Sequence, residues 1–283
     1  MICERILDHS QVLNLLPDRD PWGHKGTFGK ILLLCGSRGF TGAAYLAAMG
    51  ALRTGAGLVF LGVPESIYEI EAVKLNEPVV FPLPDREGKL AEDAIPAILS
   101  RLPQMDAVLI GPGLGQSEGT FRVVKAVLEN AQCPVVLDAD GINVLSAHRD
   151  IVRGRNAPTI LTPHDGEFAR IGGIMGETRM ASAGELAKDL GCIVLLKGHE
   201  TCITDGQTAY RNRSGNPGMA VGGSGDVLAG MIVSLLGQGL APLEAAACGA
   251  WLHGATGDIC ARELGQYAML PTDMLSALPR LLK

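Results

Sequence analysis

Residues 24–64 read HKGTFGKILLLCGSRGFTGAAYLAAMGALRTGAGLVFLGVP. Residues 30–35 are a nearly continuous apolar run, short enough to be a strand and apolar enough to be buried on both faces. Residues 36–42 form a glycine-bearing loop, residues 43–53 an alanine-rich helix, and residues 58–62 a second apolar strand. Strand, helix and strand in that order make a βαβ unit, with its glycine-rich loop at the carboxyl end of the first strand. The loop is not a P-loop, because Lys30 opens the strand and is followed by Ile31. No GxGxxG follows the strand, so both common nucleotide fingerprints are missing.

The same alternation continues to the C-terminus. Residues 92–102 predict a helix. Residues 107–110 predict a strand followed by GPGLG (111–115), and residues 120–130 a helix. Strands at 135–138, 159–161 and 193–197 are followed by ADGIN, TPHDGEF (162–168) and GHET, with a helix ending at 185–190. Residues 202–204 and 208–211 flank Asp205-Gly206, a hairpin signal. Helices over 227–236, 243–262 and 272–282 close the chain. There is no linker, low-complexity segment or internal repeat. The expected architecture is one α/β domain over residues 1–283, with a central, mostly parallel sheet and helices on both faces. Residues 1–20 are expected as a short amphipathic helix ending near Pro17 that docks on the body or on another subunit. Polar and glycine-rich segments recur at the carboxyl ends of strands, the edge where open α/β sheets bind ligands.

Composition narrows the partners. The 283 residues are 47% hydrophobic, enough to bury a large core. A net charge of −6 without a basic run disfavours nucleic acid and anionic membrane. With 4% aromatic residues, the chain is poorly equipped to stack on single-stranded nucleic acid. Its seven cysteines form no CxxC pair, and no histidine spacing points to zinc. Several sit in apolar runs, which suits a reducing cytoplasm. The N-terminus lacks the apolar core of a secretory signal, and no uncharged apolar run reaches membrane-spanning length.

The chemistry concentrates in residues 216–230, NPGMAVGGSGDVLAG. Gly222, Gly223, Ser224 and Gly225 precede Asp226, and the helical register Val227, Leu228, Met231, Ile232, Leu235, Leu236 follows. The glycines therefore stand at a helix N-terminus, where unpaired N–H groups and the helix dipole favour an anion. An aspartate there repels phosphate. It makes sense as a base, as a metal ligand through water, or simply as a first-turn acid favoured by the dipole. Gly223, Ser224 and Gly225 form the candidate anion hole.

The remaining motifs leave alternatives open. GPGLG is either a tight turn or backbone packed against a flat ligand. In TPHDGEF, Thr162 or Asp165 is suited to cap a helix with Glu167 in its first turn, and His164 is either a loop histidine or a ligand contact. In KGHET, Lys197 has the reach for a phosphate, and backbone at 198–201 for a base or ribose. Asp138 and Asp140 are placed to hold Mg²⁺ through water or to cap a turn, and Arg38 to meet phosphate or solvent. His253 and Asp258 read as structural. No Cys/His or Ser/His arrangement offers a covalent nucleophile. An anion hole, a base-like aspartate and glycine loops are the equipment of phosphoryl transfer to a hydroxyl, with Mg²⁺ neutralising charge.

In order along the chain, GTFGK, GSRGFTGAA, GPGLG, LDADGIN, LTPHDGEF, KGHET, NPGMAVGGSGDVLAG and LHGATGD resemble the signatures of the nicotinamide-nucleotide hydrate dehydratases of the ribokinase-like superfamily. Asp165 stands where that family usually has Pro, and Ser224 where it often has Thr. The resemblance implies repair of hydrated NADH and NADPH (NADHX and NADPHX). Water is removed from the S epimer using ADP, or ATP in eukaryotic relatives, by phosphorylating the ring hydroxyl and eliminating phosphate. It implies Asp226 as the base on that hydroxyl and Ala43, Gly113 and His164 around the hydrate. Lys197, Gly198, His199, Glu200, Thr201 and Gly225 would hold the adenine nucleotide. Mg²⁺ would be bound through phosphates and water. The resemblance further implies a cytoplasmic homotetramer and a chain without the epimerase domain fused in many bacterial relatives. Two other readings share Asp226 and the anion hole. One is a ribokinase-like kinase of a hydroxymethylpyrimidine or hydroxyethylthiazole, and the other a nucleotide-binding sensor without turnover.

Overall fold

The computed structural model describes residues 3–282. In chain order it contains β1 (Cys3–Arg5), α1 (His9–Leu15), β2 (Lys30–Leu34), α2 (Thr41–Arg53), β3 (Leu58–Pro64), α3 (Glu65–Lys74) and β4 (Val79–Leu83). A small β5–β6 hairpin (Asp85–Arg86, Lys89–Leu90) leads to α4 (Ile95–Leu99), β7 (Ala107–Ile110), α5 (Glu118–Asn130), β8 (Val135–Leu137), α6 (Asp140–Asn143) and α7 (Asp150–Arg153). Then come β9 (Thr159–Leu161), α8 (Asp165–Arg170), α9 (Arg179–Leu190), β10 (Ile193–Leu196), β11 (Cys202–Thr204) and β12 (Thr208–Arg211). The chain ends with α10 (Ser224–Gly237), α11 (Pro242–Leu264) and α12 (Pro271–Ala277).

Ten strands form one sheet in the order β1-β12-β11-β10-β9-β8-β7-β2-β3-β4. All neighbours are parallel except β10–β11 and β11–β12. The antiparallel pair β11–β12 is the Asp205-Gly206 hairpin. The strands read as continuous apolar runs because both faces are covered. Ile31, Leu33, Leu61, Leu109, Val136 and Leu195 point into one core with α2, α10 and α11. Leu32, Leu34, Val108, Ile110, Leu137 and Leu196 point into the other with α5 and α9. Successive residues of each strand thus serve opposite layers.

The helix that carries Asp226 is wedged deepest. From Val227 to Leu236 every residue of α10 is buried. Close approach to α2 is possible because glycines face backbone: a Cβ on Gly230 would lie 2.2 Å from the Ala47 carbonyl oxygen, and one on Gly50 2.7 Å from that of Val227. The small residues of α2 let α10 sink onto the sheet and fix where its N-terminus points.

Some expectations need correction. Residues 1–20 are not one helix: β1 pairs in parallel with β12 at the sheet edge, and α1 follows, capped by Asp8 with Gln11. The first two residues of that expected helix lie outside the described residues. The helix expected at 92–102 breaks into a 3₁₀ turn (Glu92–Ala94), α4 and a second turn (Leu102–Gln104). Pro103 has no N–H to donate to the Leu99 carbonyl, so α4 cannot run on through it. The helix expected at 272–282 gives way after Ala277 to the 3₁₀ turn Leu278–Arg280, where Pro279 intervenes. The α3 helix and edge strand β4 had no place in the sequence reading. α3 buries only Ile67 and Glu71, too little for a helical stripe.

Candidate active site

The chain runs outward one way through β2, β3 and β4 and the other way through β7, β8, β9 and β10, so the strand order reverses between β2 and β7. Loops leaving adjacent strands diverge at such a point and open a crevice at their carboxyl ends. Here the two loops are stitched together. The Gly36 N–H donates to the Pro112 carbonyl at 2.8 Å, and the Ser37 hydroxyl to the Gly113 carbonyl at 2.7 Å. Gly113 has φ +64°, and a Cβ on it would lie 2.7 Å from the Ala43 Cβ. Ala43 and Gly113 are therefore neighbours. Gly111, at φ +136°, lies so close to the Asp138 carbonyl that a Cβ would overlap it.

At the next strand ends four charged side chains converge. Asp138, just past β8, is buried. Its Oδ1 accepts from Lys197 Nζ at 2.8 Å and from the Thr162 hydroxyl at 2.7 Å. Lys197 Nζ also lies 3.7 Å from Glu167 Oε2. Asp226 enters from above on the first turn of α10, behind the N-cap Gly223 at φ +95°. The Gly225 Cα carries no side chain, and the space beside it opens toward Lys197 Nζ and Asp138 Oδ2, 3.5 and 3.9 Å from a notional Cβ. Burial pushes the Asp226 carboxyl up to about 6; the Asp138 charge adds to this, Lys197 opposes it and Glu167 adds again. Burial pulls Lys197 down, but Asp138 and Glu167 outweigh it and leave the ammonium above its ordinary range. The result is a carboxylate that keeps or gives up its proton near neutrality, beside an obligate ammonium.

The N-terminus of α10 is held from behind by His253 on α11. Its Nε2 lies 2.9 Å from the Ser224 carbonyl, so the ring carries its proton there and donates it. Burial drives His253 down to about 4, which keeps it neutral. In front of this turn lies a cavity of about 810 Å³, within the range of small-ligand sites. Lys197, Gly198, His199, Glu200 and Thr201 line one side; Ser224, Gly225 and His253 line another. Asn216 and Met219, from the 216–230 stretch, also line it, as do Asn212 and Arg213, which no sequence signal had singled out.

The structure thus brings Lys197 through Thr201, Gly225 and His164 to one cavity, and sets Ala43 and Gly113 against each other at the switch point, outside the residues that line that cavity. His164 proves to be the N-cap of α8, the role weighed for Thr162 or Asp165. Its Nδ1 accepts from Gly166 and Glu167 N–H, while Glu167 Oε2 accepts from the His164 N–H at 2.9 Å. Asp140 braces its neighbours, accepting from Gly115 N–H at 2.9 Å and from Gln116 Nε2 at 3.2 Å. Asp258 accepts from Gly215 N–H and Asn216 Nδ2 and steadies the start of the 216–230 segment. The Arg38 side chain packs over Gly88. Among the described residues no group of three or more His, Cys, Asp or Glu side chains is arranged to hold a metal ion.

A mostly parallel sheet whose strand order reverses between β2 and β7, a half-buried aspartate at a helix N-terminus and a ligand-sized cavity beside that turn define a ribokinase-like α/β protein. The hydroxyethylthiazole kinase structure from Pyrococcus horikoshii shares this fold at a TM-score of 0.62 and 17% identity. The NAD(P)H-hydrate dehydratase family matches residues 31–280, and the chain belongs to that family. The ADP-dependent (S)-NAD(P)H-hydrate dehydratase of Bacillus subtilis is 38% identical over 275 residues, 95% of this chain and 94% of the relative. The crystal structure of the ADP/ATP-dependent NAD(P)H-hydrate dehydratase from the same organism, co-crystallised with ATP/Mg²⁺, superposes with a TM-score of 0.84 at 33% identity, covering 98% of this chain and 96% of that one. The bifunctional NAD(P)H-hydrate repair enzyme of Moorella thermoacetica is 45% identical over 286 residues, 99% of this chain and 54% of the relative. The chain spans about half the length of such bifunctional relatives.

Proposed function

We propose that this chain removes water from the S epimer of hydrated NADH or NADPH at the expense of ADP. The observation that carries the reading is Asp226: a carboxyl raised to about 6 in the first turn of α10, next in sequence to Gly225, which lines the cavity. ADP would lie in the cavity against residues 197–201, its terminal phosphate toward the Gly223–Ser224–Gly225 turn. The hydrated ring would lie against Ala43, Gly113 and His164. Asp226 takes the proton of the ring hydroxyl as its oxygen forms a bond to the terminal phosphorus; the bond from phosphorus to the bridging oxygen breaks and AMP leaves with the electron pair. The new C–O–P bond then breaks at carbon. Phosphate departs, a proton leaves the neighbouring ring carbon, and the double bond returns. A poor leaving group, hydroxide, has become a good one.

Mg²⁺ fits the charge of the site. Asp138, Asp226 and Glu167 surround one ammonium, Lys197, so phosphates entering there meet an excess of negative charge. Mg²⁺ carried on the nucleotide would offset that excess, with Asp138 and Asp226 facing it through water.

The same reading takes the chain as one ribokinase-like unit working in a reducing cytoplasm, where its free cysteines are at home. It also takes the chain as a homotetramer. Exposed Ile70 and Val73 on α3 and Val79 on edge strand β4 offer an apolar surface to a neighbouring subunit. The deciding experiment mixes purified protein, Mg²⁺, ADP and S-hydrated NADH and follows the dihydronicotinamide absorbance band. Recovery of the band supports the dehydratase; a stable phosphorylated product without recovery would mean an ordinary kinase.

A further inference from the structure

Arg179, the first residue of α9, belongs to no motif in the sequence, yet it touches both loops of the site. Its Nη2 donates to the Lys197 carbonyl and its Nη1 to Asp165 Oδ1, each at 2.7 Å. Lys197 opens the loop that lines the cavity, and Asp165 follows His164. The same two loops are joined by one backbone bond, Lys197 N–H to the Pro163 carbonyl at 2.8 Å. We propose that Arg179 is a positioning residue for the adenine-nucleotide site, clamping the 197–201 loop to the His164 loop so that its backbone stands ready for the nucleotide.

Three features favour positioning over general stabilisation. First, the guanidinium keeps its buried Nε–H without an acceptor among the described residues, a cost that a purely stabilising arginine would avoid. Second, the Asp165 side chain is 63% exposed, and an ion pair so solvated adds little stability; it serves to aim the guanidinium. Third, the loop is shaped around the clamp. Gly198 has φ +158°, and a Cβ there would lie 2.7 Å from Arg179 Nη2, so glycine is needed for the guanidinium to lie against the chain. Two residues later Glu200 adopts φ +54°, a strained value for a non-glycine residue, and is held by Arg211 Nη1 at 3.0 Å. The Asn212 N–H fixes the far end, donating to the Thr201 carbonyl at 2.9 Å. The loop is thus anchored at its start by Arg179, in the middle by Arg211 and at its end by Asn212. Lysine cannot replace the first anchor, because one ammonium on a flexible stem lacks the planar fork that meets the carbonyl and the carboxylate together.

The inference rests on the proposed nucleotide site, and the test separates the two. Calorimetry with Mg²⁺ and ADP on the full chain measures Kd for the wild type, Arg179→Ala, Arg179→Lys and Asp165→Asn. KM for the hydrate and the unfolding temperature are measured in parallel. Arg179→Ala should weaken ADP about tenfold, the low end for a hydrogen bond from a charged group. Arg179→Lys should recover little of that loss. Asp165→Asn, an exposed change that leaves the fold alone, should weaken ADP about threefold. KM for the hydrate should stay within about twofold throughout, since the Lys197–Pro163 bond still holds the His164 loop. If Arg179→Ala does not fold, Asp165→Asn decides. Unchanged ADP affinity in the variants, or an equal weakening of both substrates, would overturn the positioning role while leaving the function intact. A wild-type protein that binds no adenine nucleotide would overturn both.

Discussion

Replacing Asp226 by Asn should abolish turnover and, at neutral pH, make the folded chain more stable. In the folded state the Asp226 carboxyl is raised from 3.8 to about 6 by burial and by Asp138, against the opposing pull of Lys197. At 1.36 kcal/mol per pH unit, the ionised form costs about 3 kcal/mol more in the fold than in the open chain. The sign follows from which state holds the proton. Between about pH 4 and pH 6 the folded chain binds it more tightly, so stability falls as pH rises through that window, and above it the whole cost is present. Asn has nearly the same shape and no charge. The variant should gain up to about 3 kcal/mol at pH 8, about 6 °C in unfolding temperature for a chain of this length. By pH 4 the folded carboxyl is neutral and the open-chain one is approaching its own value of 3.8, so most of the gain should be gone, and below about pH 3 it should vanish. Differential scanning calorimetry of ligand-free protein at pH 4 and pH 8, at matched ionic strength, reads the change. An Asn variant no more stable than wild type at pH 8, or a gain of equal size at pH 4, would refute the charge argument.

Three other outcomes follow from the same geometry. The pH profile of kcat/KM should rise with pH and level off with a midpoint near 6; Asp138→Asn should move that midpoint down and Lys197→Met should move it up, since their charges act on Asp226 in opposite senses, and equal shifts in one direction would contradict this. Gly230→Ala places a Cβ 2.2 Å from the Ala47 carbonyl oxygen and should cost about 1–3 kcal/mol in denaturant unfolding, as overpacked cores do, with lower activity because α10 is displaced. His253→Leu leaves the Ser224 carbonyl without its donor and should cost about 1–3 kcal/mol together with weaker ADP binding by calorimetry.

The sheet was legible because its strands are buried on both faces. Residues 31–35, 107–110 and 193–196 must be continuously apolar to serve two cores, and such runs are conspicuous. Strand β1 was not: Cys3–Arg5 is a three-residue edge strand with no period to detect, paired only with β12. The glycine turn before Asp226 was equally plain, since an apolar helical register begins right behind it. The arrangement around Asp226 was not. Asp138, Glu167, Lys197 and Asp226 follow four separate parts of the sequence, and each alone invited its own role as metal ligand, cap, phosphate contact or base. That Lys197 is committed to Asp138, and so helps set the acidity of Asp226, depends on β8, β9 and β10 lying side by side. His164 was harder still, because imidazole is an uncommon N-cap and Thr162 and Asp165 are the residue types that capping rules prefer.

The role of Asp226 in transferring a phosphoryl group that is then expelled is tested most directly by counting products. Wild-type protein with Mg²⁺, ADP and S-hydrated NADH should release AMP, phosphate and NADH in equal amounts. Asp226→Asn should bind ADP as the wild type does and release none of the three. NADH formed without AMP, AMP and phosphate formed without NADH, or an Asn variant that turns over at the wild-type rate would contradict the account.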